Sequence, residues 1–260
     1  MSGNIELPLW PTVLAAWRQF AARPDYVLRV AWIPVLLFIA VGMFLQLSSG
    51  GAPGASFWKV VFSVVNFAVL VQALVAWQRY ALLESHPRKG VTGLRGGRAE
   101  LVSLLHFPLV AILFVPLLVP TLIASLTALD DAAGGDSNPV IGLAGLALLV
   151  FPGGLLLMRA ALILPAIAAA GKTRISLIAA ANRVWALGAG NSLRILLAFY
   201  LTVLPTAVAL ALLPGFLPAP AQPAVNGLLV TLHAMLAGGA LAGIYGRLAA
   251  AASRAGKSPE

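Results

Sequence analysis

Between Arg194 and Arg247 the chain runs for 52 residues without a formal charge. No water-exposed helix or loop of that length does without charge, and a bilayer crossing needs only about 20 apolar residues at about 1.5 Å each. The stretch is therefore too long for one crossing. Pro214, Pro218, Pro220 and Pro223 divide it, because proline lacks the amide donor that continues a helix. The same rule, applied between charges over the whole chain, predicts six spans at about residues 27–47, 57–80, 101–129, 140–158, 193–213 and 225–247. Composition agrees, since 60% of residues are hydrophobic and 10% charged, whereas a soluble domain carries about 25% charged residues. The expected fold class is all-α: one integral membrane domain over 1–260, six transmembrane helices in three hairpins.

Charge orders these spans. With six crossings, both termini and the even-numbered connections share a side, which holds 16 of the 17 basic residues against five acids, or +11. The opposite side holds Lys59 against Asp130, Asp131 and Asp136, or −2, giving the chain's +9. Loops rich in Lys and Arg stay in the cytoplasm, so both termini are expected there. The excess of cations thus reads as orientation rather than as nucleic-acid binding. Glu6, Pro8, Pro11 and Arg18 interrupt the first apolar stretch, so no cleaved leader is expected.

Two segments have helical periodicity without the length to cross. Over 8–22, Trp10, Val13, Leu14, Trp17, Phe20 and Ala21 share one side of a helix; over 173–187, Ile175, Ile178, Ala181, Val184 and Trp185 do the same. Both read as interfacial helices with the apolar face in the headgroup boundary. They align at an offset of 165: Phe20 with Trp185, Arg23-Pro24-Asp25 with Gly188-Ala189-Gly190, and Leu28-Arg29 with Leu193-Arg194. The loop Glu84–Glu100 occupies the equivalent place before the third span. Residues 253–260 read as a disordered tail.

Chemistry-bearing residues are sparse. There is no cysteine, which removes thiolate metal sites and cysteine nucleophiles. His86, His106 and His233 are too scattered for a metal site, no phosphate-loop or hydrolase motif occurs, and no cofactor is expected. Carboxylates are absent from the predicted spans, so no proton or sodium carrier is expected, and with only Glu84 and Glu100 near the cytoplasmic interface for lipid phosphotransfer no enzyme is expected either. Arg159 ends the fourth span at the inner interface, where it and its counterparts Arg29 and Arg194 are candidate anchors or ligands for a lipid phosphate. Asn66, Gln72 and His233 are candidates for interhelical hydrogen bonding or, alternatively, for a polar cavity between spans two and six; Asn66 and His233 share a depth that permits a bond. Pro152-Gly153-Gly154 is a candidate hinge in span four. On the last span, Ala234, Gly238 and Ala242 form one small-residue ridge and Gly239 and Gly243 another.

The run Arg159-Ala160-Ala161-Leu162-Ile163-Leu164-Pro165-Ala166, then Ser176, then Arg183-Val184-Trp185-Ala186-Leu187-Gly188-Ala189-Gly190-Asn191, resembles bacterial six-helix inner-membrane proteins. These are the YciC-type family and the membrane domain attached to some glycerophosphodiester phosphodiesterases. In that group an arginine with a Leu/Ile-Pro-Ala step ends the fourth span, and a tryptophan- and glycine-containing stretch precedes the fifth. The resemblance covers about a hundred residues and implies an all-helical inner-membrane protein of a group whose function is largely undefined and is sometimes linked to lipid or envelope contexts. No phosphodiesterase domain accompanies it here. The expected function is a non-enzymatic membrane protein that engages anionic lipid or a partner membrane protein through its basic cytoplasmic face; the alternative is a small-solute or lipid permease.

Overall fold

The computed structural model describes residues 6–47, 55–83, 155–156, 158–170 and 177–255, all in helices, turns and short connections, with no strand among them. Seven α-helices are described. They are α1 (Leu9–Ala22), α2 (Pro24–Leu47), α3 (Ala55–Leu83), α4 (Ile163–Ala170), α5 (Leu177–Leu187), α6 (Ser192–Leu212) and α7 (Gln222–Arg254). Among the described residues, three helical stretches are long and apolar enough to cross a membrane: Pro24–Phe44, Ser192–Leu210 and Gln222–Arg254. The segment predicted as the second span forms the 29-residue α3. The spans predicted at 101–129 and over most of 140–158, the hinge Pro152-Gly153-Gly154 and the loop Glu84–Glu100 lie outside the described residues.

Helix ends follow the breakers read from the sequence. α6 stops at Leu212, two short 3-10 turns (Leu213–Phe216 and Ala219–Ala221) carry the proline cluster, and α7 opens with Pro223 in its first turn, where a missing amide donor costs nothing. At its other end α7 continues past Arg247 to Arg254, so Ser253 and Arg254, read as the start of the tail, are helical. A further helix, α4, was not anticipated. Its Pro165 is tolerated because it falls in the first turn, while Ala166, Ile167 and Ala168 are buried.

α7 is the central element: 56% of its most apolar stretch is buried, against 28% for α2 and for α6. All six other α-helices pack on it. Small residues make this possible. A Cβ placed on Gly239 would lie 2.7 Å from Trp77 Nε1, and one on Gly238 would lie 2.9 Å from Leu74 Cδ2, so α3 approaches until its side chains touch the α7 backbone. Toward the other end, Gly227 and Gly42 admit Phe38 and Pro223 in the same way at the α2–α7 contact. These pairings run α3 parallel to α7 and α2 antiparallel to both. The N-termini of α2 and α6 therefore lie beside the C-termini of α3 and α7.

The second predicted span is aromatic at both ends, with Phe57 and Trp58 at one and Trp77 and Tyr80 at the other, a pattern that reads as interfacial belts. Instead Trp77 is fully buried, stacked with Tyr26 and Tyr80 at centroid distances of 6.1 and 5.8 Å and edge-on to Phe20 at 6.2 Å. The glycine pair opens a slot for the indole that a lone-helix reading does not show. Each ring pair adds about 0.5–1.5 kcal/mol beyond area burial. The pair at the other end of α3, Phe57 and Trp58, is exposed as a belt requires.

The two amphipathic segments form helices α1 and α5, but neither rests its whole apolar side on the surface. On α1, Val13 and Ala16 are buried and Trp17 and Phe20 pack on core clusters, leaving Trp10 and Leu14 exposed; on α5, Ala180, Val184 and Leu187 are buried and Ile178 and Trp185 are exposed. Their hydrophobic sectors are wide enough to serve protein and surroundings together. Along α6 an exposed apolar stripe follows Leu193, Leu197, Tyr200, Leu204, Val208 and Leu212. That stripe rises about 28 Å, close to the ~30 Å of a hydrocarbon core.

The packing makes a direct prediction. Gly239→Val should lower resistance to unfolding in detergent by about 1–3 kcal/mol by forcing Trp77 out of its slot. Gly243→Ala, one turn on, has nothing within 4 Å of the added carbon and should cost nothing. Equal stabilities would refute the close α3–α7 contact.

Candidate functional site

Helix polarity gathers cations at one end. Arg194 lies in the first turn of α6 and Arg29 in the second turn of α2, Arg79 near the end of α3, and Arg247 two turns before Arg254 at the end of α7. Arg18 and Arg23 belong to α1 and its break, which packs at this end through the bond from Arg247 Nη2 to Pro11 O at 3.1 Å. With Arg159 and Arg183, all nine described arginines share this end, and Lys59 near the start of α3 lies at the other.

Arg159 organises the corner between α5 and α6. Its Nη2 donates to Gly188 O at 2.9 Å and its guanidinium carbon lies 5.3 Å from the centre of the Trp185 ring. Gly188 follows the last residue of α5, so the cation meets the carbonyl-rich, negative end of that helix, and the contact with indole adds about 0.5–2 kcal/mol. A Cβ on Gly188 would sit 3.3 Å from Arg159 Cγ and Nε. Gly190 completes the turn at φ +77°, a left-handed conformation suited to glycine. The chain stays helical through Met158–Ala161 and continues into α4. The Arg159 Nε is buried without a partner.

The other half of the corner is an N-terminal strap. Leu7 N–H donates to Asn191 Oδ1 at 2.9 Å, with Leu7 and Asn191 each 2% exposed. Beside it Arg194 Nη1 pairs with Glu6 Oε2 at 3.0 Å. Between the strap and the end of α7 lies a cleft of about 340 Å³ lined by Glu6, Leu7, Pro8, Arg247, Leu248 and Arg254, among others.

The remaining candidates do not converge. Arg29 is exposed on α2. His233 Nδ1 is bonded to Thr206 Oγ1 at 2.8 Å, linking α7 to α6, rather than to Asn66. Asn66 is buried with its Oδ1 unpartnered, and no hydrogen bond joins Asn66, Gln72 and His233. Glu6, Leu7, Thr206 and the polar end of Gln78, whose Nε2 reaches Gly238 O at 3.5 Å, were not singled out from the sequence. Leu7 and Asn191 are 184 positions apart, and no local pattern announces such a pair.

Comparison with family models, with curated proteins and with solved structures returns no match.

The corner can be tested by a double-mutant cycle on Arg159→Leu and Trp185→Leu. A coupling of about 0.5–1 kcal/mol is expected at this partly exposed stacked pair, read from unfolding in detergent. Strict additivity would show that the two residues do not interact.

Proposed function

We propose that this chain is a non-enzymatic multi-pass protein of the bacterial inner membrane, with six spans in three hairpins and both termini cytoplasmic. Its arginine-rich end engages anionic lipid headgroups, in an envelope or lipid-related role. The observation that carries this reading is the collection of all nine described arginines at one end of the bundle, beside Trp10, Leu14 and Ile178, which α1 and α5 leave outward. Outward apolar groups next to cations suit the headgroup boundary, where rings and aliphatic chains sink and guanidinium groups meet phosphates. Kinship with the YciC-type group belongs to the same proposal. In its support, the residues that carry the resemblance, Arg159, Trp185 and Gly188, meet in one contact cluster.

The permease reading draws less support. His233 is engaged by Thr206, and a hydrogen-bonded pair between helices α6 and α7 is what packing requires of polar groups in a membrane.

The test is the lipid shell of the reconstituted protein in mixed phosphatidylglycerol and phosphatidylcholine. Phosphatidylglycerol should be enriched severalfold around the protein. Raising salt from 0.1 to 1 M should reduce the enrichment, because the screening length falls from about 10 to 3 Å. A shell that mirrors the bulk composition at low salt would overturn the reading.

A further inference from the structure

The cleft between the strap and α7 differs from the rest of the basic end. Arg247 and Arg254 are seven residues apart, so they share one side of α7 about 10.5 Å apart along the axis. Arg247 is half-buried and Arg254 exposed. Each uses one donor on a backbone carbonyl, Arg247 Nη2 on Pro11 O at 3.1 Å and Arg254 Nε on Ala250 O at 3.3 Å. A guanidinium carries five N–H donors in a fixed fork, so both retain donors for a second acceptor. The bonds to carbonyls also hold the forks in place, which lowers the entropy lost on binding.

The opposite wall supplies Glu6, whose carboxylate is paired with Arg194 at 3.0 Å, and the apolar Leu7 and Pro8. Three charged side chains, Arg247 and Arg254 against Glu6, therefore line the space. Its 340 Å³ falls at the lower end of the ~300–1,000 Å³ typical of small-molecule sites. Depth fits as well. The uncharged part of α7, residues 222–246, rises about 37 Å, enough to cross the hydrocarbon with some tilt. Arg247 then enters at the level of the headgroups.

We infer that this cleft is a discrete site for a phosphate ester anion, held by the forks of Arg247 and Arg254, with the Glu6 carboxylate as a built-in competitor at its edge. The anion is the phosphodiester of a lipid headgroup or a soluble phosphate. This rests on the proposed basic-end reading and adds to it a site with stoichiometry, distinct from diffuse attraction.

The experiment measures phosphatidylglycerol binding to the full chain in zwitterionic nanodiscs, with charge-matched controls. Diffuse attraction depends on charge alone, so Arg247→Gln/Arg254→Gln and the exposed pair Arg23→Gln/Arg29→Gln would then lose equal affinity. A cleft predicts a loss about tenfold greater for the first pair, and saturation near one lipid per chain in the unmodified protein. Glu6→Gln should bind several times more tightly than the matched Asp25→Asn, a gain that misfolding does not produce. Inorganic phosphate or glycerol phosphate displacing the lipid at millimolar concentration assigns the site to a soluble ester; resistance to both assigns it to the lipid. Equal losses for the two arginine pairs, or equal effects of Glu6→Gln and Asp25→Asn, overturn the cleft while leaving the general reading intact. No preference for phosphatidylglycerol in the unmodified chain overturns both.

Discussion

An arginine at the centre of a bilayer-spanning helix costs about 2.5–3.5 kcal/mol on insertion scales, and every arginine described here is placed so that this cost is avoided. Eight of the nine are met by helix ends, breaks and an amphipathic surface that all lie at one end of the bundle. The ninth, Arg159, is met from within, by the Gly188 carbonyl and the Trp185 ring. Helix direction follows from this constraint. α2 and α6 begin where α3 and α7 finish, so cations in early turns and cations in late turns share one level. The long apolar surfaces between the ends are then left for lipid, as the exposed Leu193–Leu212 stripe shows.

Within that frame α7 determines the packing. A membrane interior offers little hydrophobic drive between helices, so association depends on close contact and hydrogen bonds. Gly238 and Gly239 let the Trp77 and Gln78 side chains of α3 reach the α7 backbone, and Gly227 does so for Phe38 of α2. The α6 contact uses a polar pair instead, Thr206 with His233. One small-residue helix can thus receive neighbours on all sides while its ends carry charge. The cleft at its last turns is a consequence, because α7 outlasts the hydrocarbon and the N-terminal strap lies beside it there.

Local chemistry made much of this readable from the sequence. Charge-free length and proline placement located α2, α6 and α7, and periodicity of 3.6 located α1 and α5. Whatever depended on distant partners stayed hidden. The partners of Arg159 lie 26 and 29 residues further on, so its place in the corner between α5 and α6 was not legible, and α4 was missed. Trp77 read as an interfacial ring because nothing local reveals the glycine slot on α7. The strap was invisible, since Glu6 and Leu7 find Arg194 and Asn191 only through the fold. Even the correctly found amphipathic helices were assigned too simply: the pattern reports a wide apolar sector, not how protein and lipid divide it.

The central claim is that the arginine-rich end faces the cytoplasm and the proline-rich turn before α7 faces away. The chain has no cysteine, so single introduced thiols report the side directly. Ser253→Cys marks the basic end, and Gly215→Cys, with nothing within 4 Å of its added carbon, marks the other. In intact cells a membrane-impermeant thiol reagent should label Gly215→Cys at once and Ser253→Cys only after the membrane is opened. The opposite order of labelling would contradict the account.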